Sequence, residues 1–266
     1  MTGTGSGLVL DSITVRFGGL LAVDGLTLDA PFGRLTGLIG PNGAGKTTTF
    51  NLCSGLQAPA AGRVFLDDRD VTPIDAASRA RLGLGRTFQR MELFASMTVA
   101  ENVALGREAG YATRNPWRQM VASRAERRAV ADAVDEALDV CGLFGIAGRR
   151  AADLSTGQRR LVELARAHAS RFRMVLLDEP SSGLDPGETE ELGRIIRRWV
   201  AELGMGVLLV EHDMALVMDV CQFIHVLDFG QLIFSGTPAE VRASPAVQAA
   251  YLGTGEAAEA AGVGGR

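Results

Sequence analysis

The stretch "LTGLIGPNGAGKTTTF" (35–50) combines an apolar run, a glycine-rich turn and a threonine-rich segment. Gly40 to Thr47 matches the pattern G-x-x-x-x-G-K-[ST] of the phosphate-binding loop. Residues 35–39 predict a strand before the loop, and residues 46–56 predict a helix after it. This order of strand, loop and helix indicates an α/β fold built around a nucleotide-phosphate site.

Lys46 is the only lysine in the chain, and every other residue of the Lys+Arg total of 27 is an arginine. The glycines around it let backbone N–H groups turn inward toward phosphate oxygens, and the helix start adds partial positive charge. A lysine ammonium is a compact charge, whereas the broad guanidinium fork of arginine does not fit such a ring of amides. We therefore predict that Lys46 reaches the β- and γ-phosphates.

The rest of the loop completes the predicted phosphate site. Thr47 is expected to place its hydroxyl on Mg²⁺, and Thr48 is expected to contact the α-phosphate side. The predicted nucleotide-binding residues of the loop are Gly40, Asn42, Gly43, Ala44, Gly45, Lys46, Thr47 and Thr48. The loop alone does not separate kinases, GTPases, helicases and transport ATPases, because all of them carry it.

Two adjacent carboxylates end the apolar run "MVLLDEP" (174–180). In a parallel sheet the carboxyl ends of the strands open at the nucleotide crevice. We therefore predict that Asp178 holds Mg²⁺, directly or through water, and that Glu179 orients or deprotonates the attacking water. Taken alone, the segment also fits a solvated acidic pair at a strand end.

The segment "LSTGQRR" (154–160) precedes a predicted helix over 158–171. Ser155 is a suitable hydroxyl for a helix start, and Gly157 lets the backbone approach an anion closely. These residues predict a second phosphate-binding helix start in the same chain. An ordinary capped helix is the alternative.

Further candidates lie at predicted strand ends. His212, in "LVEHDM", is placed to hydrogen-bond a γ-phosphate, whereas His168 and His225 are expected to be satisfied surface histidines. Gln89, in "RTFQR", offers an amide for Mg²⁺ or for the catalytic water, with a polar turn residue as the alternative. Phe17, in "VRFGG", is placed to stack on adenine, with a core aromatic as the alternative.

Composition limits the protein classes that fit the chain. Its 266 residues are 47% apolar and 22% charged, which is ordinary for a soluble globular protein. A net charge of −4 argues against a protein that coats nucleic acid. There is no apolar run of bilayer length and no secretory signal pattern at the start. The cysteines, Cys53, Cys141 and Cys221, are expected to be small buried side chains in a reducing compartment.

Alternating patterns along the chain predict a mixed sheet. Strand-type runs occur at 8–17, 26–31, 34–40, 62–68, 174–178, 206–211, 223–228 and 231–236. The early runs suggest an antiparallel β subdomain at the N-terminus, and the later ones suggest parallel strands between helices.

The middle of the chain is predicted to be helical, with the apolar spacing of a helix over 114–143. We predict one domain over 8–252, in which 8–97 and 172–252 form an α/β core of the RecA type. The helical subdomain, 98–171, is inserted into that core. The small polar residues of 253–266 predict a disordered tail.

The order of these motifs resembles the ATP-binding cassette (ABC) ATPase family. The phosphate loop, Gln89, "LSTGQ", "LLDEP", "SSGLD" and His212 carry the resemblance, which covers roughly 8–252. It implies ATP and Mg²⁺ as cofactors and a second ABC ATPase subunit that meets the first head to tail. Ser155 and Gly157 would then bind the γ-phosphate held by the partner, and Asp185 would link the two sites across the interface.

Longer segments resemble one branch of that family, the branched-chain amino-acid import ATPases. "GRTFQRMELFASMTVAENV" and "VEHDMALVMDVCQFIHVLDFGQLIFSGTP" carry this finer resemblance. It implies transmembrane permease subunits, a solute-binding protein, and a peripheral position on the cytoplasmic face of the cell membrane. Thr156 and Asp185 depart from the commonest residues of the branch.

Alternative functions within the family are a urea or amide importer and, at greater distance, a soluble ABC ATPase that does not transport. Chromosome-type soluble members insert long coiled coils between the positions of Lys46 and Ser155, where this chain has no sustained heptads. No nucleic-acid partner is expected.

Overall fold

The computed structural model describes residues 6–87, 93–109 and 123–252. Its strands are β1 (Gly7–Phe17), β2 (Leu20–Pro31), β3 (Leu35–Ile39), β4 (Ala61–Leu66), β5 (Arg69–Asp70), β6 (Leu84–Arg86), β7 (Met174–Asp178), β8 (Gly206–Val210), β9 (Phe223–Asp228) and β10 (Gln231–Gly236). Its α-helices are α1 (Lys46–Ser54), α2 (Ala76–Arg81), α3 (Val99–Ala109), α4 (Arg124–Val140), α5 (Thr156–Ala169), α6 (Pro186–Leu203), α7 (Met214–Val220), α8 (Pro238–Ala243) and α9 (Pro245–Leu252).

The chain divides into two compact units. The second unit comprises the described residues of Thr87–Phe172 together with Ser182–Ile195, and the remainder forms the first unit. The helical subdomain expected at 98–171 falls within the second unit, and its limits stay a prediction. The predicted tail, 253–266, lies outside the described residues.

An antiparallel sheet opens the first unit, in the order β2-β1-β4-β5. A second sheet has the order β10-β9-β3-β8-β7-β6, in which β10 is antiparallel to β9 and all other neighbours are parallel. Every residue of β3, β7 and β8 is buried, as their continuous apolar runs predict. The predicted α/β fold with a mixed sheet is therefore confirmed.

Helix α1 lies in the apolar core that the two sheets share. Phe50 and Leu52 of the helix are fully buried in one cluster with Leu10 of β1 and Leu176 of β7. Because the parallel strands run in the same direction, the segments after β3, β7 and β8 emerge at one edge of the sheet. That edge carries the phosphate loop, Glu179 and His212.

The carboxyl end of α1 is capped by a buried arginine that sequence analysis did not identify. Arg79 of α2 is 1% exposed. Its guanidinium donates hydrogen bonds to Leu52 O and Cys53 O, each at 2.7 Å, and to Ile74 O at 2.9 Å. A cation at the last carbonyls of a helix satisfies groups that have no partner within the helix. Arg79 therefore fixes the end of α1 opposite the phosphate loop.

Helices α3, α4 and α5 pack against one another in the second unit. Helix α4 begins with a capping box between Ser123 and Glu126 and represents the described part of the predicted helix 114–143. A Cβ atom at Gly106 of α3 would lie 2.2 Å from Arg166 O of α5, so the two helix backbones are in near contact. Within the described ranges, no helix combines the length and apolar character needed to cross a bilayer.

The prediction that His168 and His225 lie on the surface is wrong, because both side chains are buried. His168 Nε2 lies 3.3 Å from a carboxylate oxygen of Glu136. His225 lies between Ser235 Oγ, at 2.7 Å from Nδ1, and Asp29 O, at 2.9 Å from Nε2. Four consecutive residues of β9, 224–227, are buried because the strand lies between β10 and β3 in the six-stranded sheet, and His225 is one of them.

The cysteines behave as predicted, since all three are buried. Burial raises the pKa of the Cys53 thiol to about 12 and also raises the pKa of Cys221. A thiol is reactive only as the thiolate, so Cys53 and Cys221 are poor nucleophiles.

Replacing Arg79 by methionine is expected to destabilise the first unit. The substitution removes the guanidinium donor from four backbone carbonyls, those of Leu52, Cys53, Thr72 and Ile74, of which Leu52 O keeps the N–H of Gly55. We expect the free energy of unfolding in urea, followed by circular dichroism, to fall by about 2–4 kcal/mol. The control Arg81→Met, in the exposed part of the same helix, should change it by less than about 0.5 kcal/mol. Equal losses in the two variants would contradict the capping role.

Burial lowers the pKa of His225 below its ordinary value of 6.5. The unfolded chain then binds a proton more readily than the folded one, so the contribution of neutral His225 is full above pH 6.5 and is lost as pH falls below it. Between pH 7.5 and 5.5 we expect His225→Gln to reduce the acid-induced loss of unfolding free energy by about 1 kcal/mol. Urea denaturation at both pH values measures the difference. An identical loss in wild type and variant would exclude the effect.

Candidate functional site

The phosphate-binding loop joins β3 to α1 and is held in a narrow space. Gly40 has φ 150, and a Cβ atom there would lie 2.1 Å from Leu227 O. Gly45 has φ 98, and a Cβ atom there would lie 2.7 Å from Ala22 O. No side chain fits at these distances from a backbone oxygen. The loop is therefore wedged between β2 and β9, which fixes its conformation.

The ammonium of Lys46 is turned into this loop. The residue is 6% exposed, and its Nζ donates hydrogen bonds to Gly40 O and, at 3.0 Å, to Pro41 O. Both acceptors are neutral carbonyls. An anionic phosphate would attract the same ammonium more strongly, because hydrogen bonds between ionised groups are about twice as strong as neutral ones.

The first turn of α1 is suited to an anion. Gly45 is the N-cap residue and provides no side-chain hydrogen bond, and no acidic residue lies in the first turn. The first N–H groups of a helix lack partners within it and carry partial positive charge. With the ammonium of Lys46 beside them, these groups form a site for phosphate oxygens.

A cavity of about 400 Å³ lies at the loop. Of the predicted site residues, it is lined by Phe17, Asn42, Gly43, Ala44, Gly45, Lys46, Thr47, Thr48, Glu179 and His212. Its lining also includes Leu20, Leu21, Ala22 and Phe229, which sequence analysis did not identify. Phe229 directly follows β9, which is parallel to β3 and therefore ends at the edge of the sheet where the phosphate loop begins. Its place after a predicted strand is the sequence feature that could have identified it.

The two carboxylates after β7 have different surroundings. Glu179 has φ 48, in the left-handed region, and its N–H donates to Val210 O of the neighbouring strand at 2.8 Å. This turn separates Glu179, which lines the cavity, from the buried Asp178. A left-handed backbone at a residue other than glycine is strained and is frequent at active sites.

His212 holds the Glu179 carboxylate from the end of β8. Its Nε2 lies 2.8 Å from Glu179 Oε1. Glu211 Oε2 accepts a hydrogen bond from the backbone N–H of His212 at 3.0 Å. Glu179 and His212 thus form a pair on one wall of the cavity, with Lys46 among the other lining residues.

Asp178 forms a buried ion pair with Arg86, which no sequence motif had indicated. Arg86 Nη2 lies 2.8 Å from Asp178 Oδ2, and both side chains are less than one-tenth exposed. Nη1 of the same guanidinium donates to Asn51 Oδ1 at 2.7 Å and to Ser54 Oγ at 3.2 Å. Arg86 therefore connects the end of β6 with α1 and with the carboxylate at the end of β7.

The predicted magnesium ligands provide oxygen donors of the type that this ion prefers. Thr47 is exposed and lines the cavity, whereas the Asp178 carboxylate is buried and paired with Arg86, outside the lining. The described residues contain no cluster of three or more His, Cys, Asp or Glu side chains. Mg²⁺ commonly takes only one or two protein ligands beside substrate phosphates and water, so this donor set fits it. Gln89 lies outside the described residues.

Ser155 and Gly157 start α5 in the second unit. The Ser155 hydroxyl accepts from Gln158 N–H at 3.1 Å in a capping box. A Cβ atom at Gly157 would lie 1.9 Å from Glu188 Oε1, so within this chain the glycine faces a carboxylate. Asp185 accepts from Glu188 N–H at 2.8 Å and thereby caps α6.

Comparison with protein families places these motifs in a known group. The family described as ABC transporter matches residues 23–182. A second family, described as branched-chain amino acid ATP-binding cassette transporter, matches residues 231–257.

Several curated proteins resemble the chain over nearly its whole length. The high-affinity branched-chain amino acid transport ATP-binding protein LivG of Salmonella typhimurium is 39% identical over 249 residues, which are 92% of this chain and 97% of that protein. BraF of Pseudomonas aeruginosa, described in the same words, has the same identity and coverage. The lipopolysaccharide export system ATP-binding protein LptB of Acidithiobacillus ferridurans is 36% identical over 79% of this chain and 81% of its own.

Solved structures agree with the fold. The ADP conformation of MJ1267, an ATP-binding cassette of an ABC transporter, has a TM-score of 0.79 and 30% identity and covers 92% of this chain and 98% of its own. A dimeric post-hydrolysis structure of the cassette MJ0796, bound to ADP and Pi, has a TM-score of 0.72 and 26% identity, with coverage of 87% and 98%. The resemblance drawn from the motifs is confirmed: the chain belongs to the ATP-binding cassette family of ABC transporter ATPases.

Proposed function

We propose that this chain is the ATP-hydrolysing subunit of an importer for branched-chain amino acids, with its nucleotide bound in the cavity at the phosphate loop. The observation that supports the site most strongly is that one cavity contains Lys46, the uncapped start of α1 and the pair Glu179–His212. A phosphate anchor and a carboxylate held by an imidazole are what the attack of water on a terminal phosphate requires.

The phosphates occupy the loop. Lys46 exchanges its carbonyl partners for the β- and γ-phosphate oxygens, and the inward-facing N–H groups of the loop bind the remaining oxygens. Thr48 contacts the α-phosphate side, and Phe17 stacks on the adenine. Thr47, Asp178 and Gln89 would hold Mg²⁺, which would neutralise charge on the phosphates.

Glu179 orients the attacking water and accepts its proton. The water oxygen forms a bond to the γ-phosphorus while the bond to the β–γ bridging oxygen breaks, which leaves ADP and inorganic phosphate. His212 hydrogen-bonds the γ-phosphate and keeps the Glu179 carboxylate in place through its 2.8 Å contact. The strained backbone of Glu179 supports this role, because it turns the side chain into the cavity.

A second cassette completes the site. We infer that Ser155 and Gly157 bind the γ-phosphate held by the partner and that Asp185 links the two sites across the interface. The dimeric cassette structure of MJ0796 supports such an assembly. Ser155 is exposed, which leaves it accessible to a partner. ATP binding then joins the cassettes, and hydrolysis releases them.

The transported substrate and the other subunits are inferred from relatives. LivG and BraF carry branched-chain amino acid transport in their descriptions, and a family of the same description matches 231–257. The proposed partners are transmembrane permease subunits and, indirectly, a solute-binding protein, with the chain attached peripherally at the cytoplasmic face of the cell membrane. A urea or amide importer is the alternative, and LptB shows that a related cassette occurs in an export system.

Glu179→Gln is expected to retain ATP binding and to lower the rate of ATP hydrolysis at least about 100-fold, because the amide cannot accept the proton. With ATP and Mg²⁺, the variant should accumulate as a dimer in size-exclusion chromatography, alone or with a partner cassette. The matched control Glu190→Gln, at an exposed position of α6, should hydrolyse ATP at the wild-type rate. Normal turnover in Glu179→Gln would remove this residue from its assigned role.

Lys46→Arg retains the charge but replaces the compact ammonium with a planar fork in a loop that has little free space. We expect the dissociation constant for ATP, measured by calorimetry, to rise at least about 10-fold, while the thermal midpoint stays within a few degrees. The reverse change at the surface, Arg63→Lys, should leave ATP binding unchanged. Wild-type affinity in Lys46→Arg would show that the loop does not select for lysine.

A further inference from the structure

Phe229 occupies an unusual position on the rim of the cavity. Its side chain is 87% exposed, the largest exposed fraction of any large apolar side chain in the described residues. It follows β9 directly and lines the same cavity as the phosphate loop. An aromatic ring left in solvent contributes nothing to the core, so the fold gives no reason for it.

The backbone at Phe229 is also unfavourable. Its φ is 42, in the left-handed region, where glycine and asparagine are the usual residues. A bulky residue in this conformation is strained, and strain of this kind concentrates at ligand sites. Both the exposure and the backbone angle therefore argue that the ring has a function outside the fold.

The turn that carries Phe229 is fixed to the phosphate site. Gly230 N–H donates to Ala44 O of the phosphate loop at 3.1 Å, and Asp24 N–H donates to Gly230 O at 2.9 Å. The Gln231 side-chain amide donates to Asp24 Oδ2 at 3.0 Å. The position of Phe229 is thus set by its neighbours against both the loop and β2, at the cavity.

The β1–β2 hairpin lies beside the turn that carries Phe229 and lines the cavity with apolar residues. Gly230 approaches β2 so closely that a Cβ atom there would lie 2.7 Å from Ala22 O, which brings the turn against the β1–β2 hairpin. That hairpin contributes Phe17, Leu20, Leu21 and Ala22 to the cavity. The charged and amide side chains of the described lining, Asn42, Lys46, Glu179 and His212, come from the loop and from the ends of β7 and β8.

We infer that Phe229 is a second aromatic wall for the nucleotide base and that it sets the base preference of the site. The inference rests on the proposed nucleotide site and on Phe17 as the first wall. The site reads the base by stacking and by apolar contact, because the β1–β2 hairpin beside this turn contributes only apolar side chains to the cavity. Stacking favours the larger purine rings, so the site takes adenine and guanine nucleotides and discriminates against pyrimidine nucleotides.

Phe229→Ala removes the ring that is proposed to stack on the base and therefore tests the inference directly. We expect the dissociation constant of MgADP, measured by calorimetry, to rise about 5- to 100-fold, the range found when a stacking partner is removed. Binding of magnesium pyrophosphate, which has no base, should not change. The control Phe144→Ala removes another exposed phenylalanine ring, 55% exposed and in the second unit, and should leave both affinities unchanged. An unchanged affinity for MgADP in Phe229→Ala would overturn the inference.

Base preference gives a second readout. The wild-type chain should bind GDP within a few-fold of ADP, and CDP at least about 5-fold more weakly. Phe229→Ala should reduce the difference between ADP and CDP, whereas Phe229→Trp should retain it. A difference between ADP and CDP that is the same in wild type and Phe229→Ala would exclude Phe229 from base recognition.

Phe229→Asn separates a binding role from a structural one, because asparagine tolerates the left-handed region. We expect the thermal midpoint to rise by about 2–4 °C while the affinity for MgADP falls as in Phe229→Ala. Lower stability with unchanged affinity for MgADP would show that the Phe229 ring stabilises the fold and does not bind the nucleotide. A variant with unchanged MgADP affinity but a weaker ATP-dependent dimer would assign the ring to a protein contact and overturn the inference.

The outcomes also distinguish this inference from the proposed nucleotide site. If the wild-type chain binds neither MgADP nor magnesium pyrophosphate, the proposed site itself is wrong. If it binds both, and Phe229→Ala binds MgADP equally well, the site stands and only the second wall is excluded.

Discussion

The position of helix α1 is the constraint on which the site depends. At its start, Gly45 has no room for a side chain, and Lys46 is buried in the loop that it closes. At its end, Arg79 donates to the carbonyls of Leu52 and Cys53. Between these ends, Phe50 is fully buried between the two sheets. A helix fixed at both ends and along its length presents its N-terminal N–H groups without further rearrangement, which is the preorganisation that binding of a phosphate requires.

The left-handed turn at Glu179 gives adjacent carboxylates different tasks. Asp178 stays in the sheet layer, neutralised by Arg86, and Glu179 enters the cavity beside His212. Arg86 stands three residues before Gln89 and contacts both α1 and the end of β7. Arg86 therefore fixes the Asp178 carboxylate relative to α1.

Local patterns predicted the α/β fold and much of the cavity lining, because the loop, the apolar runs of β3 and β7 and the helix start at Ser155 are encoded in contiguous residues. The missing parts come from residues far apart in sequence. Arg79 lies on a short helix yet caps another one, and Phe229 lines one cavity with the β1–β2 hairpin only after the sheets are formed. The prediction failed at His225 because β9 lies between β10 and β3 and is buried on both faces, which the residue type alone does not reveal.

The single lysine has a chemical consequence. Apart from any α-amino group, the sequence offers amine-acylating reagents one target, Lys46. This residue is only 6% exposed and lies at the phosphate loop. An arginine-covered surface does not compete for such reagents. Protection of one ε-amino group from acylation therefore reports occupancy of the loop, and any cellular modification that requires lysine must act on this chain at the loop itself.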